Sequence, residues 1–260
     1  MKKTPLMLAI SLMASGSAFA NTFVNGGFEA GNLSGWTGGG GSWGGTAVPI
    51  HVPYTGVALP TPSDYVGGTA NNTIMSGGVD PYTKANRVYG GNYSVRLNDS
   101  NNNYSVSTLS QSVSNYTDKN IYFAWNAVLE SSHGLNNSDY FSLTLTDDTK
   151  HTTLVNRSYS SAGSIGAGTT GVTWTNYSGV YSSGWVVENI DTSQLQGDTF
   201  TLTMLASDCP YGGHFGYTYL DGFGAVTPPI GPVPEPSIYA LLGIGIGMIG
   251  LVTRRRRQMV

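Results

Sequence analysis

An all-β fold, a single jelly-roll β-sandwich, is predicted by three features of this chain. Charged residues make up only 10% of it, while Gly (36) and Tyr (16) abound, a composition that helices do not use. The aromatic residues, which also include five Trp and eight Phe, supply too much apolar surface for a disordered chain. Several stretches alternate apolar and polar side chains, the period of a half-buried strand, with turn-forming residues between them.

The elements follow in chain order. Lys2 and Lys3 precede an apolar stretch, 6–13, and Ala18, Phe19 and Ala20 then form an A-x-A cleavage pattern. Residues 1–20 therefore read as a signal peptide, and the mature chain should begin at Asn21. About 210 residues separate this signal from the C-terminal tail, enough for one domain, 21–227. It should open with a short strand over 23–29 that runs into a turn, followed by Gly35 and Trp36. Residues 37–89 are the least regular, rich in Gly and Pro, with 47–52 a candidate strand.

From residue 90 the β pattern is clear. Tyr93, Val95 and Leu97 alternate with polar neighbours, and 99–103 reads as a turn before a strand within 104–113. The continuous apolar run 121–129 should be a central strand. Phe141, Leu143 and Leu145 alternate again, and Leu154 and Val155 make a weak strand before a Gly/Ser/Ala loop at 160–170. Segments at 174–181 and 185–187, alternation at Phe200, Leu202 and Met204, and a closing strand at 217–223 complete the count. Eight or so strands suit a two-sheet sandwich, and nothing repeats at a solenoid period. Residues 228–232 form a Pro-rich linker.

The tail, 233–260, has three parts: the motif Val233, Pro234, Glu235, Pro236 and Ser237, an uncharged apolar run at 238–252, and Arg254, Arg255, Arg256 and Arg257. The prolines keep the motif extended and accessible. The apolar run can enter a bilayer as a helix, and the arginines stay on the cytoplasmic side, so the rest of the chain lies outside the cytoplasm. Fifteen residues span ~22 Å, short of a ~30 Å hydrocarbon core, which argues for processing rather than permanent anchoring. In Pro234-Glu235-Pro236, the apolar helix and the arginine cluster, this tail resembles the PEP-CTERM sorting signal of Gram-negative bacteria. The resemblance implies recognition and cleavage by an exosortase after passage through the export machinery. It also implies a transient stay in the inner membrane and delivery to the cell surface or extracellular matrix, in company with exopolysaccharide systems.

A second resemblance rests on both ends of the domain. N-G-x-F-E at Asn25 to Glu29, then Gly35 and Trp36, is similar to the opening of galactose-binding-like jelly rolls, including carbohydrate-binding modules of families four and nine. Phe200 to Met204, Asp208, and Tyr219-Leu220-Asp221-Gly222-Phe223 look like their last two strands, although Phe223 stands where an aliphatic residue is usual. The resemblance implies a structural Ca²⁺ joining the first and last strands, with Glu29 and Asp221 as its carboxylates; the alternative is an exposed Glu and an Asx-turn Asp.

Between the two signals stand six basic and fourteen acidic residues, an acidic surface unsuited to nucleic acid or anionic lipid and compatible with cations and neutral glycans. A single cysteine, Cys209, excludes any intrachain disulfide. Trp43, Tyr54, Tyr65 and Tyr82 are candidate sugar platforms, provided their rings are exposed. The string 208–217 resembles a D-C-x-x-G-G-H-x-G-Y string before the last strand of some bacterial surface proteins. Asp208, Cys209 and His214 are too few ligands for a transition metal, and the glycines favour a tight loop in which Asp208 and His214 bond the backbone. Glu130 with His133 and His151 is a scatter rather than a zinc motif. Matches to G-x-S-x-G and G-x-G-x-x-G at 39–44 lack the strand and helix those motifs require. The reading is a non-enzymatic, exported matrix or surface protein that binds polysaccharide. The alternatives are a polysaccharide-active enzyme, which would need a paired-carboxylate cleft, and a structural coat protein without a sugar ligand.

Overall fold

The computed structural model describes residues 22–43, 66–68, 70–131, 133, 138–161 and 172–224. The signal peptide, the linker, the sorting tail and the candidate strand at 47–52 lie outside the described residues.

Among the described residues are β1 (Thr37–Ser42), β2 (Val66–Gly67), β3 (Asn72–Ser76), β4 (Tyr93–Leu97), β5 (Ser105–Val113), β6 (Asn120–Glu130) and β7 (Tyr140–Asp147). They are followed by β8 (Thr152–Ser160), β9 (Thr175–Tyr177), β10 (Val180–Ser182), β11 (Val186–Asp191), β12 (Phe200–Ser207) and β13 (Gly216–Gly224). Two antiparallel sheets result, in a jelly-roll-like sandwich. One runs β2-β1-β5-β12-β7-β8; the other runs β3-β4-β13-β6-β10-β9, with β11 also paired to β6. Among the described residues no helix is long and apolar enough to cross a membrane.

The alternating sequences lie where period two requires. Phe200, Leu202 and Met204 of β12 and Phe141, Leu143 and Leu145 of β7 face Phe123, Trp125 and Leu220 of the opposite sheet in one core. The apolar run of β6 is central and buried on both faces, since Val128 packs into a second cluster with Phe215, Tyr217 and Tyr219 on the outside of its sheet. Segment 77–92 caps that outer face: buried Asp80 accepts hydrogen bonds from the hydroxyls of Tyr217 and Tyr219. At one edge a bidentate ion pair joins the sheets, Arg157 of β8 donating to both oxygens of Glu188 of β11 at 2.8 Å. Trp125 Nε1 donates to the same carboxylate.

Two expectations change. The opening segment 23–29 is a series of turns, not a strand, with Asn25 and Phe28 at positive φ. It is still anchored: the Phe23 ring lies tilted against that of Phe223 at 3.8 Å, and Phe223 N donates to Gly26 O. A Cβ on Gly26 would lie 1.6 Å from Phe223 O, so only glycine permits this approach. The second change is that 37–42, Thr-Gly-Gly-Gly-Gly-Ser, is a full strand paired with β5. A Cβ on Gly40 would meet Val106 O at 2.3 Å.

Candidate functional site

The residues with the most chemistry converge at one end of the sandwich, around the β12–β13 connection, 208–215. The register explains why. β6 and β13 are antiparallel, with Leu129 opposite Gly216, so the chain leaving β6 runs beside the chain entering β13. Glu130 N donates to Phe215 O, and Phe215 N donates to Glu130 Oε2 at 3.2 Å.

Asp208 is the pin of the turn. Its Oδ1 accepts from Asn98 Nδ2 (2.9 Å), and its Oδ2 accepts from the backbone of Asn103 (3.2 Å) and Ser105 (3.0 Å) and from the Ser105 hydroxyl. Burial raises its pKa to about 7, against the lowering effect of these bonds. The expected backbone-bonding role of Asp208 is therefore observed. Past it, Cys209 N donates to His214 O and Gly212 N to Cys209 O, and Gly212 and Gly213 adopt positive φ.

The side chains of Cys209 and His214 point to a third partner that the sequence treats as scatter. His133 lies over the turn, and one ligand atom each from His133, Cys209 and His214 all fall within 4.8 Å of one another. His133 Nδ1 stands 3.4 Å from Cys209 Sγ, and the two imidazoles meet edge to face at 4.6 Å. His133 is exposed, His214 half-buried and Cys209 fully buried. His214 Nδ1 is buried without a hydrogen-bond partner. Burial, then the neighbouring His133, lower the His214 pKa; Glu130 and a backbone interaction with Gly212 act the other way. His133 is 76 residues from Cys209 in the chain. The signal that could have found it is the pairing of the central and closing strands, which brings their adjoining loops side by side.

Exposed rings flank the same turn. Tyr211 is half exposed and its ring lies 6.2 Å from that of His133. Tyr82, 40% exposed, rests on Phe215 at 4.7 Å. Of the expected sugar platforms, Tyr82 is thus open to solvent, whereas Trp43 is not. The Trp43 ring is buried against Val106, Tyr140 and Leu205, and its Nε1 donates to Asp208 O at 2.9 Å. An indole closed on both faces cannot stack on a sugar, so Trp43 belongs to the core. Tyr54 and Tyr65 lie outside the described residues. A small cavity lined by Gly77, Gly78, Asn86, Val88 and Gly91 offers no stacking ring.

Glu29 and Asp221 both grip segment 89–93. Glu29 accepts from the backbone of Asn92 and Tyr93 and from Asn92 Nδ2; Asp221 Oδ2 accepts from Tyr89 N (2.9 Å) and Gly90 N (3.0 Å). Burial raises the Asp221 pKa to about 7, its backbone bonds oppose this, and the charge of Glu29 adds a smaller raise. The donors meeting both carboxylates are N–H groups, whereas a calcium cage is built of six to eight oxygens.

Residues 232–257 match the family model for the PEP-CTERM protein-sorting motif. The match covers the expected motif from Val233 and the cluster Arg254, Arg255, Arg256 and Arg257. The motif implies interaction with an exosortase and an exported, surface-associated location. No curated protein matches the chain. Among solved structures it is similar to TmCBM61 in complex with β-1,4-galactotriose (12% identity, 78% of this chain and 97% of that one, TM-score 0.39). It is also similar to Caldicellulosiruptor saccharolyticus CBM27-1 in complex with mannohexaose (10% identity, 80% and 97%, TM-score 0.36). The K2 cleaved adhesin domain of Lys-gingipain is a third (14% identity, 80% and 98%, TM-score 0.34).

Proposed function

We propose that this chain is an exosortase substrate whose sandwich acts outside the cell as a non-catalytic, polysaccharide-binding component of a Gram-negative surface or matrix. The observation that carries the proposal is the sorting motif at 232–257, which supports an exported, surface-associated location for the domain ahead of it. Glycan binding is supported by the exposed rings of Tyr82 and Tyr211 beside one turn. Flat rings stack on the apolar C–H faces of sugars. The scarcity of basic residues leaves such a surface free of strong attraction to nucleic acid.

The test is retention of the mature chain on polysaccharides, including the host's own exopolysaccharide. Saturable retention without shortening of the polymer is expected, lowered by Tyr82→Ala and Tyr211→Ala, which trim exposed rings and should leave folding intact. Shortening of the polymer would replace the proposal with a polysaccharide-active enzyme. Absence of retention on every glycan would replace it with a structural coat protein.

A structural calcium between Glu29 and Asp221 is a separate proposal. The added negative potential of Glu29 at Asp221 favours a cation, and the N–H donors already bonded to both carboxylates oppose one. Melting the protein in calcium and in chelator decides it: a higher midpoint with calcium supports the site, and superimposed curves remove it.

A further inference from the structure

We infer that His133, Cys209 and His214 form a metal site for a borderline-soft divalent cation, zinc by chemistry, which staples the loop after β6 to the β12–β13 turn. The ligand set carries the assignment. Two imidazoles and one thiolate suit zinc, whereas calcium and magnesium take oxygen. The spacing agrees as well. A zinc at ~2.0–2.1 Å from nitrogen and ~2.3 Å from sulfur holds tetrahedral neighbours ~3.6 Å apart. His133 Nδ1 and Cys209 Sγ stand at 3.4 Å, and all three ligand atoms lie within 4.8 Å. The His133–Cys209 pair already stands at about that spacing, and the wider separations would close by up to about 1.2 Å, within reach of a side-chain rotation.

Two independent observations point the same way. His214 Nδ1 is buried with no hydrogen-bond partner, a cost that a metal bond at this nitrogen would offset. A carboxylate also stands beside the turn: Glu130 Oε2 accepts from Phe215 N at 3.2 Å, and its charge acts on His214. Negative charge near imidazole ligands favours a cation between them. A thiol nucleophile paired with His133 fits less well. The sulfur is fully buried, closed to a polymeric substrate, while a bare ion can enter from the exposed His133 side. Three protein ligands leave a fourth tetrahedral position for water on that side. The site stands beside Tyr211, so the metal would order the rim that carries the exposed ring.

The experiment uses the full chain in detergent, stripped with chelator and titrated with zinc against a chromophoric competitor, and in parallel with cobalt as a spectroscopic probe. One equivalent should bind, and cobalt should give a thiolate charge-transfer band in the near ultraviolet. His133→Gln, at an exposed position, should weaken zinc about tenfold or more. His214→Gln should do the same, and Cys209→Ser should abolish the band. His151→Gln, at an exposed turn outside the cluster, should change nothing. If Cys209→Ser fails to fold, the His133→Gln comparison still decides. Failure to bind zinc, or binding that is unchanged in His133→Gln and gives no thiolate band, overturns the inference. These readouts are independent of polysaccharide retention.

Discussion

Asp221 shows how one side chain ties the fold to pH. It lies on the closing strand, is 1% exposed, and holds the backbone of Tyr89 and Gly90. Its pKa rises from an ordinary 3.8 to about 7, chiefly through burial, with a contribution from Glu29. The folded protein therefore holds this proton more tightly than the unfolded chain. Its stabilising contribution is full below about pH 4 and is lost as pH rises toward 7, at up to about 1.4 kcal/mol per pH unit. Asp221→Asn keeps an acceptor for the two amides and removes the titration. Denaturant unfolding between pH 4 and 7 should show a stability slope for this group that is missing from the variant. Parallel slopes would mean that Asp221 is ionised throughout.

At the scale of elements, the Arg157–Glu188 pair tests how the two sheets are joined. β8 and β11 belong to different sheets, and the bidentate contact, with Trp125 Nε1 on the same carboxylate, links both to the core. Glu188→Gln keeps the shape but loses the charge-assisted fork, and should lower stability by about 1–3 kcal/mol in equilibrium unfolding. A change within a few tenths would show that solvent replaces the pair. The strands themselves were legible wherever burial on one face imprints period two, as in β4, β7 and β12. They were not legible where pairing rests on missing side chains. The Gly-rich β1 carries no pattern because its glycines exist to let β5 approach. Trp43 illustrates the limit for sites: an indole in a glycine-rich stretch looks like an exposed platform, and only the outer face of its sheet reveals the pocket that encloses it. The His133 cluster was hidden for another reason. Its members are brought together by strand register, not by local spacing.

For the whole molecule, the decisive division lies between the sandwich and the tail. Both sheets and the main core fall within 22–224, so what happens to residues 232–257 can change the protein's address without altering its fold. The sequence of this tail, an apolar run of fifteen residues followed by four arginines, is what the proposed exosortase processing would act on. On the proposed reading, a chain cut near the motif would lose the apolar run and leave the inner membrane, and an uncut chain would stay there. Replacing Pro234, Glu235 and Pro236 together by alanine removes the core of the sorting motif and leaves the apolar run and the arginines in place. Immunoblots of fractionated cells should then show a larger form retained in the inner membrane and depleted from the surface, with the melting behaviour of the sandwich unchanged. If the variant reached the surface at the same processed size as the natural sequence, recognition would have to reside elsewhere in the tail, and the sorting motif would no longer explain where this domain works.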